Sequence, residues 1–148
     1  MKISTKIRYG MRLMVNLGAD YGKGPKFLND VAREEGISEK YLSQIVIPLR
    51  RAGLIDSYRG SKGGYVLLKH PKDISVKEIF NALEGALTLV HCIEDHANCP
   101  RREKCITRFL WRDLGDKINN VLGSMKLEGL VEQFKDKNKK EPEMMYYI

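Results

Sequence analysis

The sequence lacks the features of a membrane-spanning or secreted protein. No apolar run reaches about eighteen residues, so there is no candidate transmembrane helix. The first stretch, MKISTKIRYGMRLM, has no apolar signal-peptide core, which predicts a cytoplasmic protein with no membrane partner. No internal repeat is present, and the polar run KDKNKKEPE at 135–143 is the one short biased stretch.

Motifs typical of enzymes are missing as well. There is no glycine-rich phosphate-binding loop and no Cys–His–Asp constellation in a strand–turn–helix context. An enzyme with a cysteine nucleophile is therefore disfavoured, and we expect no catalytic activity. Cys-x-x-Cys zinc knuckles are also absent, although the chain has three cysteines.

Positive charge is present, and it is concentrated in one half of the chain. The formal net charge is +7. Residues 1–80 hold 15 Lys and Arg against 8 Asp and Glu, whereas residues 81–148 hold 11 of each, so the whole excess lies in the first half. This asymmetry favours a polyanion partner such as nucleic acid, although a solvated basic surface would have the same composition.

Apolar spacing in the first half predicts a helix-turn-helix behind a first helix. A short helix ends at Gly36, and Ser38 caps a second helix that Gly53 closes. Pro48 is expected to kink or shorten this second helix near residues 44–47, because proline lacks an N–H and clashes with the preceding turn.

A β-hairpin is predicted next, with strands at residues 54–58 and 65–68 around the basic turn RGSKGG. A helix-turn-helix followed by a basic hairpin is a winged helix-turn-helix. We therefore predict a mainly α fold with a small β-wing, in which residues 1–84 form the DNA-binding domain.

The second half predicts a helix capped by Ser75, a cysteine-bearing loop at 85–105, and a dimerisation helix with a C-terminal segment at 106–148. Apolar residues recur every three or four positions from Ile106 to Met125. Little chain remains to cover such a helix, so we expect a homodimer, since winged helices usually read palindromic DNA as twofold dimers. The alternative is that this helix packs within its own chain. A short final helix is predicted over LEGLVEQF.

The predicted contacts to double-stranded DNA lie on the second helix of the motif and on the wing. N-terminal residues of a recognition helix reach base edges, and arginine can enter a narrow minor groove. The set is Ser38, Lys40, Tyr41, Ser43 and Gln44 at the helix start, Arg50 and Arg51 toward its end, and Arg59 and Lys62 in the wing. Read alone, each is also an ordinary exposed polar residue.

All three cysteines lie in HCIEDHANCPRREKCITR, with six and then five residues between Cys92, Cys99 and Cys105. Thiolates bind iron–sulfur clusters or zinc, and these spacings suit a loop around a larger object such as a cluster. A redox-active thiol is the alternative. Three inert cysteines are disfavoured, because unligated cysteine is usually buried and this loop is polar.

The sequence resembles the Rrf-type (BadM-like) winged-helix regulators. The matching stretches are MKISTKIRYGMRLM, ISEKYLSQIVIPLRRAGLIDSYRGSKGGYVL, ISVKEIFNALEG, the cysteine loop and the YYI ending. The resemblance implies a homodimeric repressor or activator that binds a pseudo-palindromic operator. It also implies that Cys92, Cys99 and Cys105 hold an iron–sulfur cluster, with 2Fe–2S preferred to 4Fe–4S. The regulated genes are then expected to be those of iron–sulfur assembly or of a related stress response.

Two branches of that family matter here. The cysteine-metabolism repressors resemble this chain at both ends but lack the cysteine triplet, which favours the iron–sulfur branch. The alternative is a cysteine-metabolism repressor that acts through a partner protein, with the cysteines as a thiol or zinc switch.

This chain departs from the iron–sulfur branch at three positions. Arg108 stands where a ligating histidine is common, and Arg8 stands where a partner-supplied aspartate can ligate. Ser43 replaces a glutamate that tunes the choice of DNA site. The local candidates for a fourth ligand are His91, Glu94, Asp95 and His96, of which His96 is favoured because it lies between Cys92 and Cys99.

Overall fold

The computed structural model describes residues 2–94 and 99–145, without the side chains of 141–145. It is mainly helical with one two-stranded antiparallel sheet, as predicted. The helices are α1 (Thr5–Ala19), α2 (Leu28–Glu35), α3 (Glu39–Arg51), α4 (Val76–Glu84), α5 (His91–Glu94), α6 (Thr107–Ser124) and α7 (Leu127–Met145), the strands are β1 (Ile55–Tyr58) and β2 (Gly64–Leu67), and a 3₁₀ turn spans Pro71–Asp73. Within the described ranges, no helix is both long enough and apolar enough to cross a bilayer.

Local signals set the boundaries of the helix-turn-helix, α2 and α3. Gly36 follows α2 with φ of 64°, a left-handed conformation that glycine adopts without strain. The Ser38 hydroxyl accepts the N–H of Tyr41 at 3.2 Å and caps α3. Between them Ile37 is buried, which fixes the turn against the core. The predicted helix-turn-helix is confirmed.

Pro48 lies within α3 without ending it. The helix continues to Arg51, and the carbonyl of Pro48 accepts the N–H of Ala52 at 3.1 Å. The helix is therefore not shortened near residues 44–47, and the other predicted outcome, a kink there, stays a prediction. Buried Leu49, directly after the proline, packs this last turn into the core, and that tertiary contact outweighs the missing hydrogen bond.

The wing forms at the predicted place, with Ile55 opposite Leu67 and Tyr58 opposite Gly64. A third segment joins it. Lys26 exchanges two backbone hydrogen bonds with Tyr65, from its own N–H at 3.0 Å and to its carbonyl at 2.8 Å. The linker between α1 and α2 is thus a one-residue edge of the wing sheet.

The last helix is longer than predicted. It runs from Leu127 to Met145 instead of ending after LEGLVEQF. Its first turns belong to the core around α1, where Leu127 and Val131 are buried. Gly18 makes this possible, because a Cβ there would lie 2.6 Å from Cγ2 of Val131. The predicted domain boundaries after residues 84 and 105 stay a prediction. Helix α7, which belongs to the predicted C-terminal segment, packs on α1 of the winged domain.

Candidate nucleic-acid interface and cysteine segment

Helix α3 has one buried and one exposed face. Leu42, Ile45, Val46 and Leu49 are buried. The opposite face carries the predicted contacts Lys40, Ser43, Gln44, Arg50 and Arg51, all of which are exposed. Basic Arg50 and Arg51 occupy its last turn, where positive charge also favours the helix dipole.

Three of the predicted contacts also have local structural roles. Ser38 caps α3 by accepting a hydrogen bond, so its own O–H can still donate to a phosphate oxygen. The Ser43 hydroxyl donates to the carbonyl of Lys40 at 2.6 Å, which leaves its oxygen to accept from a base edge. Tyr41 is half-buried, so it presents only part of its side chain to solvent.

A groove of about 660 Å³ separates the helix-turn-helix from the wing. It brings together Ser43, Arg50 and Arg59, three predicted contacts that are distant in sequence. Asn29, Ser57 and Tyr58 also line it, and sequence reasoning missed them. The signal that could have found Tyr58 is an aromatic residue at a strand end next to the basic turn.

The electrostatics of this surface are mixed, because Asp30 and Glu39 line the groove together with Arg50 and Arg59. Arg59 and Lys62 are exposed on the wing tip. Arg50 NH2 lies 3.7 Å from Asp56 Oδ1, a loose, exposed ion pair that a phosphate can replace. At the other rim Asp30 accepts from Arg33 at 2.8 Å, which offsets its charge toward an approaching polyanion.

The cysteine segment is partly helical, because α5 contains Cys92. All three cysteines are partly exposed, and none is in a disulfide. The Thr107 hydroxyl, 3.3 Å from Cys105 Sγ, and the backbone N–H of Arg108 hold the pKa of the Cys105 thiol below its ordinary value. Metal ligation requires the thiolate, so this environment fits a ligand.

The described part of the segment does not itself gather a metal site. In residues 2–94 and 99–145, no three His, Cys, Asp or Glu side chains are close enough to hold one ion. His91 is fully exposed and lies 3.6 Å from Glu94 (Nδ1 to Oε2). Asp95 and the favoured fourth ligand, His96, lie outside the described residues. The chemistry of the three thiols fits an iron–sulfur cluster, and their assembly around one is a proposal.

The rest of the described chain covers only one side of helix α6. Its inner side meets α4, and Asn119 donates to the carbonyl of Leu87 at 3.3 Å. Gly115 is its only buried residue. Large apolar side chains remain exposed on the other side, including Ile106 (84%), Phe109 (70%) and Val121 (57%), with Leu110, Leu114 and Met125.

A recognition helix with a polar outer face beside a basic wing defines a winged-helix DNA-binding protein. Residues 3–133 match the family model Rrf2, described as an iron-dependent transcriptional regulator. The chain therefore belongs to the Rrf2 family, as the resemblance predicted, and is a DNA-binding transcription regulator of that family.

Relatives of two kinds are similar to this chain. CymR of Bacillus subtilis is 43% identical over 130 residues, which cover 88% of this chain and 89% of CymR. IscR of Photorhabdus laumondii is 37% identical over 131 residues, covering 88% of this chain and 79% of IscR. The solved structure of T. potens IscR has a TM-score of 0.75 at 34% identity and covers 93% of this chain and 90% of that one. The fold is shared by both kinds of regulator.

Proposed function

We propose that this protein is a cytoplasmic, homodimeric transcription regulator that binds a pseudo-palindromic duplex through α3 and the wing. In this proposal an iron–sulfur cluster held by Cys92, Cys99 and Cys105 changes its affinity for DNA. The observation that carries the DNA-binding part is the groove that joins Ser43, Arg50 and Arg59. A recognition helix and a wing contact adjacent grooves of one duplex.

The uncovered face of α6 supports the homodimer. An apolar surface of this extent is rare on a monomer and favours burial against a second copy. A twofold axis beside α6 presents two α3 helices to successive major grooves, and half-site spacing must then match the DNA repeat. A small shift of the winged domain relative to that axis changes operator affinity.

Three thiols within one segment, and the lowered pKa of Cys105, support the cluster. Bound there, an iron–sulfur cluster supplies reversible redox chemistry and sensitivity to oxidants. Ligation by Cys92, Cys99 and Cys105 would tie α5 to the start of α6. Because α6 carries the proposed dimer face, this connection lets the segment influence the position of the winged domain. A 2Fe–2S cluster remains the preferred type.

A second function is favoured by the 43% identity to CymR of Bacillus subtilis. The solved structure of CymR describes that protein as a global cysteine regulator. In this alternative the chain is a repressor that acts through a partner protein. Its cysteines would then work as a thiol or zinc switch, for which the low pKa of Cys105 is also suitable.

Anaerobic purification with iron and sulfide analysis and a visible spectrum separates the two. If iron and sulfide copurify, and Cys92→Ala, Cys99→Ala and Cys105→Ala each remove them, the cluster is confirmed. A colourless protein after reconstitution with iron and sulfide would contradict it. Titration of the same sample with a duplex selected from a random library, before and after exposure to air, measures the coupling to DNA. Equal affinities at fixed salt would exclude cluster control.

A further inference from the structure

Lys26 occupies a position that joins three parts of the DNA-binding domain. Its backbone pairs with Tyr65 in β2, as described above. Its side chain leaves the sheet in another direction, and Nζ lies 3.1 Å from Asp20 Oδ2 and 2.8 Å from Glu34 Oε2. Asp20 ends α1 and Glu34 lies in the last turn of α2.

Glu34, one of the two carboxylates that Lys26 binds, is also hydrogen-bonded by a residue of α1. Glu34 Oε2 also accepts from Nδ2 of Asn16 at 3.0 Å, and the same amide nitrogen donates to Glu35 Oε1 at 3.0 Å. Asn16 is only 1% exposed, so its amide has no freedom to move away. The carboxylate that Lys26 binds is therefore fixed to the C-terminal part of α1.

The backbone of Lys26 also packs tightly against the start of β2. A Cβ on Gly64 would collide with the backbone of Lys26, its carbonyl carbon and oxygen included. The strand thus lies against Lys26 more closely than any residue with a side chain would permit. Gly64 also has φ of 131°, which favours glycine. Because β2 begins at Gly64, directly after the wing tip, this contact sets where the tip emerges.

Burial separates Lys26 from the exposed lysine next to it in the same linker. Its side chain is 16% exposed, whereas that of neighbouring Lys23 is 72% exposed. Lys23 makes one loose ion pair, with Nζ 3.8 Å from Asp20 Oδ1. With two carboxylates already bound, the Lys26 ammonium has little capacity left for a phosphate.

From this geometry we infer that Lys26 is a positioning residue for operator binding: it fixes the wing to α1 and α2 and acts on DNA through Arg59 and Lys62 without touching it. The inference rests on the proposed DNA-binding mode. Arg59 and Lys62 sit on a two-stranded ribbon, which is weakly ordered by itself. Removing the anchor lets the ribbon fluctuate and imposes an ordering cost on binding.

The test uses the full chain and a duplex that the wild-type protein selects from a random library. Lys26→Met keeps the length of the stem and removes the charge, and we expect about tenfold weaker binding. Lys26→Arg should restore affinity, and the control Lys23→Met should bind as wild type. The slope of log affinity against log salt should not change in Lys26→Met, because no phosphate contact is lost.

Two further measurements distinguish positioning from general destabilisation. Hydrogen exchange of the Tyr65 amide should accelerate in Lys26→Met, while the amides of α1 and α3 stay protected. In the double background Arg59→Ala with Lys62→Ala, which lacks both wing contacts, Lys26→Met should have no further effect on affinity, because it acts only through those contacts.

Several results would overturn the inference. They are unchanged affinity in Lys26→Met, a slope lowered by about one unit, or a loss from Lys26→Met that persists undiminished when Arg59 and Lys62 are both replaced by alanine. If the wild-type protein selects no duplex at all, the proposed function fails first, and that outcome is distinct from these.

Discussion

The rings of Tyr9 and Tyr41 meet edge to face, with centroids 5.7 Å apart and planes at 89°. This contact joins α1 to the exposed start of the recognition helix. The guanidinium of Arg12 lies 5.6 Å from the centroid of the Tyr9 ring, on α1. Tyr41 thus has a packing role in addition to its predicted contact with DNA.

Three substitutions separate these roles of Tyr41. Tyr9→Leu should lower the free energy of unfolding, and about 1 kcal/mol of this loss should be the coupling energy between the two rings, the usual value of an aromatic pair. A double-mutant cycle with Tyr41→Leu in urea denaturation measures the pair itself. Tyr41→Phe keeps the ring and should leave stability unchanged. If its hydroxyl contacts DNA, Tyr41→Phe still weakens operator binding, and full affinity in that variant would limit Tyr41 to packing.

The prediction for the wing concerns the salt dependence of its affinity for DNA. Lys62→Ala should reduce the slope of log affinity against log salt concentration by about one unit, because one phosphate contact is lost. Arg59→Ala should weaken operator binding. Lys135→Ala, an exposed lysine on α7, is the control and should change neither quantity. Anisotropy titrations over a range of salt provide the test, and wild-type binding by Arg59→Ala would remove the wing from the interface.

The dimer prediction concerns α6. Phe109→Arg places a charge in the exposed apolar face and should shift the protein to monomer in sedimentation velocity, with little loss of helical content. Glu132→Arg introduces the same side chain at an exposed position of α7, outside α6, and should remain dimeric. A dimer of unchanged strength in Phe109→Arg would exclude this face as the interface.

The pH prediction concerns the start of α4. Glu78 Oε2 accepts the N–H of Ser75 at 2.7 Å, and Lys69 Nζ lies 3.1 Å from Oε1. Partial burial acts to raise the pKa of Glu78, but these two donors outweigh it and the pKa is lowered. A lowered pKa stabilises the fold above the unfolded value of about 4.3, and this contribution disappears as the pH falls through the folded value.

Glu78→Gln should therefore lower the free energy of unfolding at pH 7, and its difference from wild type should shrink below about pH 4. Urea denaturation at a series of pH values measures both. Glu84→Gln, an exposed site at the end of α4, serves as the control. A difference that is constant with pH would show that the charge of Glu78 contributes nothing.

Much of this fold was predictable from the sequence, because its signals are local. Ser38 and Ser75 cap their helices by bonding N–H groups three residues ahead, and such contacts need no distant partner. The recognition helix and the wing follow from them. Local signals did not decide whether α3 ends at Pro48: core packing of its last turn outweighs the local penalty, and the helix continues to Arg51.

What the sequence alone determined about this protein is the order of its elements, its exposed basic positions and the clustering of its three cysteines. Only the tertiary structure decided that Lys26 pairs with Tyr65, that Tyr58 and Asn29 line the groove with Arg59, and that α7 packs on α1. These contacts join residues far apart in the chain. Their partners are chosen by packing and buried hydrogen bonds, which leave no periodic signal in the sequence.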